Sequence, residues 1–256
     1  GTMKKLLAIT ALSAALFFGQ TAAAEEKAAE EVKPSHVEMV LVLDESGSMS
    51  NLTNDTIGGF NSMIEKEKKL DVDAHVTTVL FNDQYKMLYN RRELKDVSKM
   101  TDKDYTPGGM TALLDAVGRT IHKMDMVAGI HRKDKGNKVL FVIITDGEEN
   151  DSKEYTYADV KKLIKDRQEN AGWEFIFLGA NIDAAAAAEN LGIDRDRAVK
   201  YKNTGSGVRA NFKAVAELSD SLAKSGRVSD EWKETVEKDE DDAADKQSAA
   251  VTLHRR

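Results

Sequence analysis

Two short stretches, "VEMVLVLD" (37–44) and "KVLFVIITD" (138–146), are almost unbroken hydrocarbon, rich in Val and Ile, and each ends in Asp. They are shorter than an ordinary buried helix, and their β-branched residues favour extended chain. A strand that is apolar on both faces must be covered on both faces. The two stretches therefore predict neighbouring central strands of a sheet enclosed by helices.

The intervening chain supplies those helices. Apolar residues recur every three or four positions at Ile57, Phe60 and Ile64; at Leu113, Val117, Ile121 and Met124; at Val160, Leu163 and Ile164; and at Phe212, Val215, Leu218 and Leu222. Further strands are expected at "AHVTTVLFND" (74–83), "YKMLYN" (85–90), "WEFIFLGAN" (173–181) and "RAVKY" (197–201). Strand and helix alternate, so the expected class is α/β: a doubly wound, Rossmann-like, mostly parallel sheet with right-handed crossovers and helices on both faces. "NDQYKM" between two strands reads as a hairpin, which makes one edge strand antiparallel. No repeat of fixed period is present.

The ends read differently. After Gly1 and Thr2, Met3 leads into Lys4, Lys5, an apolar run and "QTAAAEE". That order of basic end, short apolar core and A-x-A site predicts a secretory signal cleaved after Ala24, hence an exported, periplasmic or extracellular protein with no stable membrane insertion. Residues 25–36 read as a charged linker, 37–225 as the domain, and 226–256 as a charged, disordered tail.

Composition removes several classes of function. The net charge is −7, with no basic surplus for phosphates, so nucleic acid is not an expected partner. With no Cys, thiolate metal sites, disulfides and cysteine nucleophiles are excluded. The His at 36, 75, 122, 131 and 254 show no H-E-x-x-H spacing and read as surface or partly buried residues. "GSGVRA" (205–210) reads as a loop and helix start rather than a dinucleotide fingerprint, and the acidic pairs Asp44–Glu45 and Glu148–Glu149 as solvated loop charge.

The remaining chemistry lies at strand ends. In a doubly wound sheet the ligand site is beyond the carboxyl ends, where strand order reverses, and Asp44 and Asp146 both close strands. "DESGS" (44–48) places Asp44, Ser46 and Ser48 on alternate positions around Gly47, so a tight turn brings three oxygens together. Thr111 follows the Gly-Gly loop of "TPGGMT" and adds a hydroxyl that can cap a helix or ligate an ion. Five oxygens leave room for an outside ligand on a hard cation, which takes about six. Taken singly, each motif is also an ordinary turn or cap.

Together, "DESGS", "GGMT" and "TDGE" resemble the metal-ion-dependent adhesion site of von Willebrand factor type A domains. "DTIGGFN", "GMTALLDAVG", "IITDGEEN" and "WEFIFLGAN" are similar to phrases of the compact single-domain bacterial and phage members. The resemblance spans about residues 37–225. It implies a Mg²⁺ site, open also to Mn²⁺ or Ca²⁺, made of Asp44, Ser46, Ser48, Thr111 and Asp146, with the hydroxyls meeting the ion directly or through water and the aspartates acting largely through water. The expected function is a cation-dependent protein-binding module, monomeric alone and not an enzyme, that captures an Asp or Glu of a partner. Two alternatives are a subunit working with a separate ATPase, and a metal-assisted hydrolase or phosphoryl-transfer enzyme. Glu148, Glu149 and Asp151 are candidates to fill the open position from within.

Overall fold

In the computed structural model, residues 35–127, 129–133 and 136–239 are described. Six strands, β1 (His36–Asp44), β2 (Ala74–Phe81), β3 (Tyr85–Glu93), β4 (Asn137–Thr145), β5 (Glu174–Gly179) and β6 (Ala198–Lys200), form one sheet in the order β3-β2-β1-β4-β5-β6. All neighbours are parallel except β2 and β3, which form the antiparallel edge pair. The expected α/β architecture is what the chain adopts. β1 and β4, the two hydrocarbon runs, lie side by side at its centre, registered from His36 with Asn137 to Leu43 with Ile144.

Alternation along β1 sorts the side chains into two cores. Met39, Leu41 and Leu43 face Phe60, Met63 and Ile64 of α1 (Thr53–Lys69) and Phe212, Val215 and Leu218 of α5 (Gly205–Ser225). Val40 and Val42 face α2 (Leu113–Met124), α3 (Tyr157–Ala171) and α4 (Ala184–Asn190). Every helical stripe read from the sequence falls on one of these elements. Local signals fix their ends: Thr156 and Asp159 make a reciprocal capping box before α3, and Gly172 and Gly226 close α3 and α5 in the left-handed conformation.

The core runs past the boundary read at residue 225. Residues 231–239 are helical, Trp232 and Val236 are buried in the α1/α5 core, and Thr235 donates to Glu217 of α5 at 2.8 Å. One turn earlier, the Ser229 amide donates to Ser221 at 3.1 Å. In 231–239, two apolar residues among seven charged or polar ones are too sparse to register as a pattern, yet at helical spacing they dock on one face. Residues 1–34, where a secretory signal and most of a linker are expected, and residues 240–256 lie outside the described residues.

Candidate metal centre

β1 diverges to β2 on one side of the sheet and β4 to β5 on the other, so the switch point lies between β1 and β4. Asp44 sits there, 2% exposed. One carboxylate oxygen accepts from the Ser46 amide at 2.7 Å; the other accepts from the Thr145 hydroxyl at 2.8 Å and the Asp146 amide at 3.3 Å. Its carbonyl accepts from the Tyr105 hydroxyl at 2.6 Å. These bonds close the turn back on the strand end and aim Ser46 and Ser48 at the crevice.

The Ser46 and Ser48 hydroxyls are 3.2 Å apart, and Ser48 donates to Asp146 Oδ1 at 2.8 Å. Asn203, from the loop before α5, donates to Asp146 Oδ2 at 3.2 Å, and Asn181, after β5, to the Asp146 carbonyl at 3.3 Å. Four of the five residues singled out in the sequence are thus joined in one network. Ser46 and Asp146 are buried and Ser48 is exposed, so the cluster opens on the Ser48 side.

Thr111 adjoins the cluster differently. Its backbone is pinned to the loop after β4, its amide donating to Asn150 Oδ1 at 2.8 Å and its carbonyl accepting from the Asn150 amide at 3.0 Å. Among the described residues its side chain makes no hydrogen bond to the other four. The N-cap residue of α2 is Ala112, which offers no side-chain cap, so the buried Thr111 hydroxyl is not spent as a helix cap. The Gly-Gly loop is strapped to the serine turn by Gly47 N–H to Gly109 O at 3.1 Å and Gly108 N–H to Glu45 O at 2.9 Å. Gly109 has φ +73, and a Cβ there would meet Asp83 Oδ1 at 2.0 Å. Only glycine lets the loop lie this close to the β2–β3 turn.

The donor set suits a hard cation. It consists of oxygen alone, and among the described residues the groups that act most on Asp44 include no basic side chain. Burial pushes the Asp44 carboxyl up to about 6; Ser46 opposes the rise, the neighbouring Asp146 charge adds to it, and Thr145 opposes it. Two acids confined together without a counter-ion are what a divalent ion would relieve. Beside them the Tyr201 hydroxyl and Asn203 Oδ1 are buried with no hydrogen-bond partner among the described residues, polar capacity that the protein's own atoms leave unused.

Two acidic residues behave otherwise than the sequence suggested. Glu45 is buried, not solvated: its carboxylate accepts from the Thr106 amide at 2.9 Å and lies 3.4 Å from Lys86 Nζ. Glu149 accepts from the amides of Asp151 and Ser152 at 3.1 and 2.6 Å and from the Leu114 amide at 3.0 Å, so it satisfies the first turn of α2. Its acceptor sites are engaged in holding the loop. Asp115, unremarked in the sequence, accepts from the amides of Lys153, Glu154 and Tyr155, all at 2.9 Å. Asn150, Asn181 and Asn203 were equally invisible, because a lone Asn in a loop carries no spacing signal.

A family model described as the von Willebrand factor type A domain found in the TerF C terminus matches residues 36–193. No curated protein matches the chain. Among solved structures, the pilus adhesin SpaC from Lactobacillus rhamnosus GG is similar with TM-score 0.57 and 14% identity, over 76% of this chain and 31% of that one. A von Willebrand factor type A structure from Catenulispora acidiphila gives 0.52 and 16%, over 73% and 43%. The corresponding domain of the type V pili tip protein Mfa5 from Porphyromonas gingivalis gives 0.52 and 13%, over 77% and 99%. This chain thus spans less than half of the first two. At such identities the likeness is one of fold.

Proposed function

This chain belongs to the von Willebrand factor type A family, and on that premise we propose that it is a divalent-cation-dependent protein-binding module. The observation that carries the reading is the pairing of Asp44 with Asp146 at the ends of the two central strands, joined by the Asp146 amide on Asp44, with Ser48 on Asp146 and, among the described residues, no basic side chain in the set that acts most on Asp44. Asp44, Ser46, Ser48, Thr111 and Asp146 would hold the ion, Mg²⁺ first among candidates, with Mn²⁺ and Ca²⁺ as alternatives. When bound, the ion supplies a positive centre whose coordination shell the two carboxylates and three hydroxyls leave incomplete.

The protein's own part is to limit its donors. Ser46, Ser48 and Thr111 contribute neutral oxygens, and the exposed Ser48 side leaves an approach for an Asp or Glu of a partner. Engagement of Glu149 with α2 supports an approach that is not self-blocked. The role is binding, not catalysis, because the hydroxyls that would serve as nucleophiles are assigned to the ion. Export to the periplasm or beyond is part of the proposal and rests on the leader-like residues 3–24. Pilus proteins among the fold neighbours make surface adhesion a natural setting.

Calorimetric titration of the metal-free chain with Mg²⁺, Mn²⁺ and Ca²⁺ tests the reading. Saturable binding that disappears in Asp44→Ala and in the Ser46→Ala, Ser48→Ala double variant is expected. Equal binding in those variants, or none in the parent, removes it.

A further inference from the structure

At the opposite edge of the sheet, where β1 and β2 begin, a second cluster assembles. Parallel register sets Glu38 beside His75, and His36 stands on the same face of β1 two residues before Glu38. His36 Nε2 is 3.0 Å from His75 Nδ1, and Glu38 Oε1 is 3.2 Å from each of those nitrogens. Three donor atoms therefore face a common centre. Glu38 is buried, while both histidine side chains are partly open, 17% and 27% exposed.

The protonation pattern is constrained by Asp73. Its carboxylate lies 3.0 Å from His36 Nδ1 and can only accept, so that nitrogen carries a proton and Nε2 is the atom that would meet a metal, giving up any proton it holds. Glu38 Oε1 and His75 Nδ1 complete the triangle, with Arg91 Nη2 alongside both. A single proton satisfies one edge of this triangle; a metal ion satisfies all three. Bonds of about 2.0–2.1 Å in a tetrahedral zinc site separate the donors by about 3.3–3.4 Å, so the observed triangle needs to open by only a few tenths of an ångström.

We propose that His36, Glu38 and His75 form a second metal site, of the zinc class, at the amino end of the sheet. Two imidazoles and one carboxylate suit Zn²⁺ and its neighbours rather than Mg²⁺, which separates this site chemically from the all-oxygen cluster. Asp73 is the outer partner that fixes the His36 ring. Arg91 grips both Glu38 oxygens, its Nη2 donating to Oε1 and its Nε lying 3.2 Å from Oε1 and Oε2, so an ion on Oε1 would take the place of Nη2 and leave Nε to orient the carboxylate through Oε2. The fourth position faces a cleft of about 380 Å³ bounded by Val127, Arg132 and Asn137, open to water or an anionic ligand.

The full chain, stripped of metal and kept in excess Mg²⁺, would be titrated with Zn²⁺ against a chromophoric chelator. One ion per chain is expected. His36→Gln and His75→Gln should weaken binding by more than the about 10–100-fold expected of Asp73→Asn, while His122→Gln leaves it unchanged. Circular dichroism of the metal-free variants checks that they fold. Should a ligand variant not fold, Co²⁺ added to the parent chain reads the site directly, by the intense visible bands of tetrahedral nitrogen and oxygen coordination. Absence of stoichiometric Zn²⁺ binding, equal affinity in His75→Gln, or a Co²⁺ spectrum of octahedral oxygen coordination overturns the proposal.

Discussion

At the scale of single residues, acids divide by what their oxygens meet. Asp44 meets one backbone amide, a hydroxyl and another acid's backbone; Asp115 meets three amides and no acid. Burial acts to raise the Asp115 carboxyl, but the amides of Lys153, Tyr155 and Glu154 outweigh it and hold the group below the ordinary carboxylate range. A lowered carboxyl stabilises the fold above its unfolded value, and that stabilisation is lost as pH falls through the folded one. Asp115→Asn should therefore cost about 1–3 kcal/mol at neutral pH, measured by urea denaturation, and the difference should shrink in acid. A cost that does not change with pH would mean that shape, not charge, holds the loop to α2.

At the scale of elements, α1 and α5 pack face to face across one side of the sheet and bury Glu67 completely. Both of its carboxylate oxygens lack a hydrogen-bond partner among the described residues. Burial pushes the carboxyl up to about 8; Ser219 alongside opposes this only in part, Asp220 adds to it, and Lys66 opposes it. The sign is the reverse of the Asp115 case. The unfolded chain ionises near 4.5 and the folded one near 8, so stability should fall as pH rises between those values. Glu67→Gln should flatten that slope and raise stability near pH 8 by about a few kcal/mol, read from the pH dependence of the denaturation midpoint. An unchanged slope would place the titration elsewhere. The helix pattern of α1 gave no hint of this, since Glu at its position reads as ordinary surface charge.

For the whole molecule, residues 226–239 are part of the fold rather than an appendage. Trp232 is fully buried against the same core as Phe212 and Leu218. Ending the chain after residue 225 should cost at least the about 3–5 kcal/mol typical of deleting a buried Trp side chain, and Trp232→Ala should reproduce most of it in thermal unfolding. A truncated chain as stable as the parent would show that the segment only rests on the core.

The sequence by itself determined the architecture. "VEMVLVLD" and "KVLFVIITD" forced two central strands because nothing else buries such runs on both faces, and helical stripes between them left the doubly wound sheet as the arrangement that covers every apolar surface. It also placed Asp44, Ser46, Ser48 and Asp146 at one switch point, since strand ends in this topology converge there. What it did not carry was any pairing between distant loops and strand starts. Asn203 on Asp146, Glu149 on α2, Trp232 on the core and His36 beside His75 are each set by register and docking, which depend on how elements meet in space. Periodicity reports which face a residue occupies, and only the tertiary structure decides what waits on the other side of that face.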